Sequence, residues 1–176
     1  KANMGIHNTL HSHVYPFVEA PLAHLQLLGD EGLNDAGISG AWLLPSSWFQ
    51  ELTLQYLRGK GENKEFNSPS PSAGVGLVHW KNLLEVSDEL TAELGASYSE
   101  GGNSFRQKTA LSGADLTFKW RPVQGGKYHS FIWASEYLAS AVEQSPARLE
   151  TGHGLATWIQ YQFAERWWIQ ARGEHV

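Results

Sequence analysis

The residues best suited to chemistry are histidines near the start of the chain. His7, His11 and His13 lie close together, and His24 follows with several carboxylates nearby. Imidazole and carboxylate groups bind zinc, and two histidines separated by one residue on an extended loop can converge on one ion. Because the spacing matches no defined zinc motif, two interpretations stay open: a surface zinc or copper site, or histidines that hydrogen-bond within a folded loop.

Groups for other catalytic chemistry are poorly arranged. The chain has no cysteine, which excludes a thiolate zinc site and a cysteine nucleophile. His129 and Ser130 are adjacent, but neighbours on a strand point to opposite faces and cannot act together. The glycine pairs at 101–102 and 125–126 lack the spacing of a phosphate-binding loop. We therefore do not expect the protein to be an enzyme. We expect no cofactor either, except for zinc at the histidines.

The composition describes one acidic, domain-sized chain. It has 176 residues, a net charge of -5 and a pI near 5.9. A nucleic-acid partner is not expected, because such proteins cluster Lys and Arg on one face. No apolar run approaches the ~18 residues that a membrane helix needs. A membrane β-barrel stays possible, since its strands alternate apolar and polar residues and have ordinary mean hydropathy.

Alternation of apolar and polar residues with period two recurs along the chain. Residues 90–99 and 114–121 alternate most regularly, as Leu90-Thr91-Ala92-Glu93 illustrates. Such alternation predicts β-strands with one apolar face. Similar segments occupy 37–44, 48–56, 76–86, 131–140, 157–163 and 167–172, and a short strand is expected over residues 2–6. The sequence predicts a single all-β unit over 1–176, an antiparallel up-and-down transmembrane β-barrel or part of a larger one, with about eight to nine strands here.

The connections between these strands are predicted to alternate in length. Short turns are expected near 45–47, 87–89, 122–126 and 165–166, and long external loops near 7–36, 59–74, 100–112 and 141–153. This asymmetry is typical of outer-membrane barrels. Residues 20–28 have short helical character, so the first loop could fold inward as a constriction. Aromatic residues that flank the short turns are expected at the lipid headgroups: Trp42, Trp48, Trp120, Tyr128, Phe163, Trp167 and Trp168.

The polar faces of the strands would line a lumen if the apolar faces contact lipid. Rings of charged side chains influence ion selectivity in pores, although neighbouring opposite charges could equally form salt bridges that stiffen the wall. Five acids against four bases predict no strong selectivity. The expected pore-lining residues are Glu51, Thr53, Gln55, His79, Lys81, Glu85, Glu93, Asp115, Lys119, Arg121, Glu136, Gln160, Gln162 and Arg172.

Three stretches of the sequence carry a family resemblance. They are HNTLHSHVYPFVEAPL from His7, LLGDEGLNDAGISGAWLLP from Leu27 and YQFAERWWIQAR from Tyr161. These stretches resemble a family of uncharacterised porin-like β-barrels of the Gram-negative outer membrane. Some of its members carry the label zinc-regulated TonB-dependent outer membrane receptor, although no TonB box or plug domain is recognisable here. The resemblance implies a longer barrel of which this chain is an internal piece, completed by further strands or other chains.

The expected function is a porin-like channel in the bacterial outer membrane for passive passage of small hydrophilic solutes or ions. One alternative is a zinc-uptake receptor that uses the histidine-rich loop. The other is a soluble lipocalin-like ligand-binding barrel, whose strands alternate in the same way with the apolar face turned inward. Tryptophans near the short turns favour a membrane over a soluble barrel. The expectation requires that the apolar faces meet lipid.

Overall fold

A single antiparallel sheet of eight strands makes up most of the chain. A computed structural model describes residues 1–11, 14–60, 64–70, 73–124 and 128–176. A 3-10 turn at His7–Thr9 and a short helix, α1 (Leu22–Leu28), precede the sheet. The strands are β1 (Gly37–Leu43), β2 (Phe49–Leu57), β3 (Val75–Ser87), β4 (Leu90–Gly102), β5 (Lys108–Trp120), β6 (Ser130–Ser145), β7 (Arg148–Ala164) and β8 (Trp167–His175).

Strands that follow one another in the sequence are hydrogen-bonded neighbours in the sheet. This confirms the predicted all-β, antiparallel, up-and-down arrangement, with eight strands. The two outer strands, β1 and β8, each have one neighbour in the sheet, so the sheet stays open within the described residues. Among the described helices, none combines the length and the apolar character needed to cross a membrane.

Two of the predicted long loops are wrong. Residues 100–102 and 108–112 belong to β4 and β5, and residues 141–145 and 148–153 belong to β6 and β7. Their Gly and Ser residues are typical of turns, but cross-strand pairing as far as Gly102↔Lys108 and Ser145↔Arg148 satisfies the backbone. The connections between these strands are therefore short, and the two predicted long loops that remain are those before β1 and between β2 and β3.

The predicted strand over residues 2–6 is also wrong. These residues belong to what we call the N-terminal segment, the described residues before β1. Gly5 has a φ of 64°, in the left-handed region that interrupts a strand. Ala2 and Met4 are buried, which explains their apolar character without a strand. The helical character predicted for residues 20–28 is confirmed by α1.

The sheet has one covered face and one exposed face, which we call the inner and outer faces. The N-terminal segment covers the inner face, where Thr53, Ser99 and Glu136 are buried. Large apolar residues occupy the outer face and remain exposed, among them Leu54, Trp133 and Ile159.

The sheet curves around the N-terminal segment. Glu51 on β2 and Gln160 on β7 line one cavity of about 510 Å³. In a flat sheet, strands five positions apart would be separated by about 24 Å, so the inner face must be strongly concave. Helix α1 lies inside this curve against β6, β7 and β8. Gly154 on β7 permits the approach, because a Cβ there would lie 2.6 Å from the Ala23 Cβ.

A small apolar core lies between the inner face and the N-terminal segment. It begins with Met4 and Leu33 from the segment and Leu111 and Leu138 from the sheet. Burial of such side chains stabilises a fold by roughly 1.5–3 kcal/mol each. The remaining members of the cluster are Ala2, Leu27, Leu28, Leu57, Phe66, Val75 and Leu77. The inner face is therefore apolar next to this core and polar towards the short turns.

Candidate functional site

The predicted pore-lining residues share one face of the sheet. Pairing between neighbouring strands aligns Glu51↔Lys81, Lys81↔Gly95, Gly95↔Asp115 and Asp115↔Glu136 in a single inner-face row. Neighbouring rows on the same face hold Thr53, Gln55, His79, Glu85, Glu93, Lys119, Gln160, Gln162 and Arg172. Arg121 follows the last residue of β5. The register therefore brings the polar face together as the alternation predicted.

Glu136 attaches the N-terminal segment to the wall of the sheet. Its Oε1 accepts hydrogen bonds from the backbone N–H groups of Ile6 at 2.7 Å and His7 at 3.4 Å. Its Oε2 lies 2.6 Å from Nδ1 of His7. Only 2% of Glu136 is exposed. A buried carboxylate needs several donors to offset the loss of water, and the N-terminal segment supplies them.

Aromatic rings fix the position of the His7 imidazole. It packs edge-on against Trp158 of β7 at a centroid distance of 4.6 Å and against Tyr15 at 5.6 Å. His11 is exposed in the same segment, and the predicted ligand His13 lies outside the described residues. Over the part of the chain that the structure describes, no group of three or more His, Cys, Asp or Glu side chains is arranged to hold a metal. The Nδ1 atom of His7 is engaged by Glu136.

Asn8 closes the N-terminal segment on itself. Its Nδ2 donates to the carbonyl oxygens of Ala2 and Leu33, and its Oδ1 accepts from the Leu33 N–H at 2.7 Å. Gly32 approaches the Asn8 amide and the His24 imidazole so closely that a Cβ would overlap both. His24 is completely buried, and neither ring nitrogen has a hydrogen-bond partner among the described residues. Burial lowers the pKa of His24 to about 4.

A serine of β4 links the segment to the polar wall. Ser97 Oγ accepts a hydrogen bond from the Gly5 N–H at 3.2 Å and lies 2.9 Å from Nδ1 of His79. Gln55 of β2 accepts from the Asn3 N–H at 2.8 Å. At the opposite edge, the Arg172 guanidinium donates to the Glu19 carbonyl oxygen. The N-terminal segment is therefore hydrogen-bonded to β2, to β4 in the middle of the sheet and to the edge strand β8.

The two inner-face lysines converge on one carboxylate. Lys81 Nζ lies 2.8 Å from Glu93 Oε1, and Lys119 Nζ lies 3.6 Å from Glu93 Oε2. The three residues come from β3, β4 and β5, so their contacts cross the strands of the wall. Glu93 is thus paired with two cations. This arrangement matches the salt-bridge alternative stated for the polar face.

Asp115 has a different environment from Glu93. It is 9% exposed, and its Oδ2 atom has no hydrogen-bond partner within the described residues. The residue across from it on β4 is Gly95, where a Cβ would overlap the Asp115 carboxylate. The residue across from it on β6 is Glu136, a second carboxylate. A buried oxygen without a hydrogen-bond donor is rare in folded proteins. The Asp115 Oδ2 atom is therefore available to accept a hydrogen bond from a ligand.

An open cavity of about 510 Å³ lies between the polar inner face and the N-terminal segment. Asp115 and Glu51 line it together with the Lys81–Glu93–Lys119 group. Trp158 lines it as well. Sequence reasoning did not find Trp158, because this ring interrupts the apolar alternation of β7 by pointing inward. The available signal in the sequence was that Trp158 falls on the polar side of the alternating segment 157–163.

The aromatic residues predicted for a membrane interface lie near the short turns. Trp42, Trp48 and Phe163 are exposed around the connections between β1 and β2 and between β7 and β8. Trp120 donates through Nε1 to Glu89 of the β3–β4 turn. The remaining members are Tyr128, which precedes β6, and Trp167, which begins β8. Trp168 is a correction: it pairs with Gln162 on the inner face, because neighbours on a strand point to opposite sides.

A second group of aromatic residues crosses the outer face farther from these turns. Tyr56, Tyr98 and Tyr137 belong to β2, β4 and β6, and all three are exposed. Tyr98 pairs with Val78 of β3. Val78 lies two residues along β3 from Gly76, which pairs with Tyr56. On β5, Tyr98 pairs with Ser112 and Tyr137 pairs with Ala114, so Tyr137 is displaced by a further two residues. The tyrosines therefore form a line that slopes by about one residue per strand, and sequence reasoning missed it because the slope depends on register.

Comparison with known proteins gives one distant relative. The chain is 27% identical over 200 aligned positions to an uncharacterized protein from Aquifex aeolicus (strain VF5). The match covers 95% of this chain and 41% of that protein, so the chain spans about two-fifths of the length of its relative. No family model matches the chain, and no solved structure matches it.

Proposed function

We propose that this chain forms part of a transmembrane β-barrel of the bacterial outer membrane, a channel for small hydrophilic solutes whose lumen holds the N-terminal segment. One observation carries the proposal: the sheet exposes its apolar face and covers its polar face. In water, exposed apolar patches larger than a few hundred Å² are rare on monomeric proteins. Against lipid, apolar residues outside and polar residues inside are the expected arrangement.

The spacing of the aromatic residues supports a membrane orientation. Tyr56 lies eight residues from Trp48, which directly precedes β2, and Tyr98 lies eight residues from Leu90, the first residue of β4. Eight residues extend about 26 Å along a strand, or about 20 Å along the bilayer normal at a tilt of about 40°. This is close to the roughly 25 Å apolar band of outer-membrane barrels.

The slope of the tyrosine line supports the same orientation. Strands in a barrel tilt because their register is staggered around the barrel. A line at constant membrane depth must therefore shift along successive strands. The displacement from Tyr56 to Tyr98 to Tyr137 is such a shift. Tyrosines favour the headgroup region because their rings are amphipathic.

The free edges of β1 and β8 fit a larger barrel. An open strand edge inside hydrocarbon would leave backbone groups unsatisfied at a cost of several kcal/mol each. The chain matches a protein more than twice its length, which favours additional strands as the partners of these edges. In the proposed barrel, the inner-face cavity belongs to the lumen.

The test is conductance of the natural full-length polypeptide in planar lipid bilayers. We expect discrete conductance steps after detergent-mediated insertion, because a polar lumen crosses the membrane. A matched variant, Leu94→Arg, introduces a charge on the outer face and should insert poorly. A polypeptide that stays monodisperse in detergent-free buffer and produces no conductance would overturn the proposal.

A further inference from the structure

The inner cavity is lined by carboxylates that form ion pairs and by carboxylates that form none. Glu93 is paired with both Lys81 and Lys119. Within the described residues, neither Asp115 nor Glu51 forms an ion pair with a cationic side chain, and Glu51 contacts only the Thr53 hydroxyl through its carboxylate, at 3.3 Å. The cavity therefore holds two carboxylates without a cation partner.

Asp115 marks the position in this cavity that lacks a partner most clearly. It is more than nine-tenths buried, and its Oδ2 accepts no hydrogen bond from the described residues. Glu136, directly opposite on β6, is already held by Ile6 and His7. Two carboxylates directly across a strand pair repel each other. A cation beside Asp115 would relieve this repulsion and supply the missing donor.

The remaining walls of the cavity favour an organic cation. Trp158 lines the cavity together with the apolar side chains of Ile132 and Ala134. A tryptophan ring attracts ammonium and guanidinium groups through its negative face. Apolar walls accept the hydrocarbon part of an organic amine. Among the described residues, no His, Cys, Asp or Glu cluster is suited to a metal ion.

We propose that this cavity binds small organic ammonium ions at the Asp115 carboxylate, so that the channel passes them in preference to organic anions. The inference rests on the proposed function and names its solute class. The N–H groups of an ammonium ion supply the donor that Oδ2 lacks. Glu51 adds a second negative charge to the same cavity. Glu93 neutralises one of the two lysines that it pairs with, so three carboxylates against two lysines leave the lining with a net charge of -1.

The test compares the natural full-length polypeptide with its Asp115→Asn variant in planar bilayers. Reversal potentials are measured across gradients of butylammonium chloride and of sodium butyrate. We expect the wild type to favour butylammonium over its counter-ion. Asparagine keeps the size of the side chain and removes its charge. One unit charge about 8 Å from the solute path in water favours a cation and disfavours an anion by roughly twofold each, so the ratio of butylammonium to chloride permeability should fall about fivefold.

Two further variants make the test specific. Glu143→Gln removes a carboxylate from an exposed position on the outer face of β6, outside the lumen, and it should leave the ratio unchanged. Gly95→Ala keeps the charge but displaces the Asp115 carboxylate. It should therefore also lower the permeability ratio for butylammonium. Equal ratios for wild type and Asp115→Asn, in channels that conduct, overturn this inference alone. Absence of conductance from the wild type overturns the proposed function.

Discussion

Glu136 Oε2 on β6 lies 2.6 Å from His7 Nδ1 of the N-terminal segment, and both side chains are almost completely buried. The wall of the sheet therefore contains an acceptor whose donors come from another part of the chain. A glutamate at this depth is costly without them. This contact holds the N-terminal segment on the inner face together with the hydrogen bonds that Asn3 and Gly5 donate to the sheet.

Replacing Glu136 should release the N-terminal segment. In Glu136→Ala, the Ile6 N–H and the His7 imidazole lose their acceptor and remain buried. A buried donor that loses its acceptor costs about 1–3 kcal/mol, so docking of the segment should weaken by that order. Hydrogen exchange of the Gly5 and Ile6 amides, measured by mass spectrometry, should accelerate. Glu143→Ala, at an exposed position of the same strand, serves as control, and equal exchange in the two variants would contradict the role of Glu136.

Gly5→Ala should have a similar effect by a steric route. Gly5 has a φ of 64°, and a Cβ there would overlap the Glu136 carboxylate. The left-handed conformation alone costs an alanine about 1–2 kcal/mol. Conductance of the reconstituted channel should rise as the segment leaves the lumen. The control is Gly76→Ala on the outer face, where a Cβ meets no atom within 4 Å; a larger rise in the control would refute the prediction.

The outer face should tolerate charge less well than the inner face. Leu94→Arg introduces a cation on the outer face of β4, whereas Gln160→Arg introduces one on the inner face of β7. An arginine facing lipid near the midplane destabilises an outer-membrane barrel by about 2–4 kcal/mol. Urea unfolding from lipid vesicles should show this loss for Leu94→Arg only. Equal destabilisation by both variants would argue against lipid contact at the outer face.

Docking of the N-terminal segment should weaken in acid because of His24. Its pKa is about 4 in the folded chain and about 6.5 when the chain is unfolded. The unfolded state thus binds more protons between these values, so stability falls as pH decreases through this window. The loss reaches about 3 kcal/mol below pH 4. Hydrogen exchange of the Asn8 amide between pH 7 and 4, normalised for its intrinsic rate, measures the change. His24→Leu should abolish this part of the pH dependence, and an identical profile in the variant would exclude His24 as its source.

The strands were predictable because alternation is a local property. Residues 90–99 fall inside β4 and residues 114–120 inside β5, one residue short of the predicted end, and the polar faces read from the sequence match the register. Strand ends were less predictable. Gly101 and Gly102 resemble loop residues, but their partners Thr109 and Lys108 extend the ladder, and such partners are not visible in a local pattern.

The contacts of the N-terminal segment could not be predicted from the sequence. Glu136 was assigned to the polar face, but its donors at Ile6 and His7 lie about 130 residues away. The histidines suggested a metal site because imidazole ligates zinc, whereas the structure uses His7 as a partner for a carboxylate and a tryptophan. Composition cannot distinguish a histidine that binds a metal from one that contacts a carboxylate, because both roles require the same side chain.

The central claim is that the outer face of the sheet meets lipid, and two positions of matched exposure test it most directly. Leu54 on the outer face is 57% exposed and Lys119 on the inner face is 54% exposed, and the chain has no native cysteine. Leu54→Cys and Lys119→Cys can therefore each carry a single spin label in the reconstituted protein. We predict that oxygen dissolved in the lipid reaches the label at position 54 and that a water-soluble nickel complex reaches the label at position 119. Free access of the nickel complex to position 54 would contradict the account.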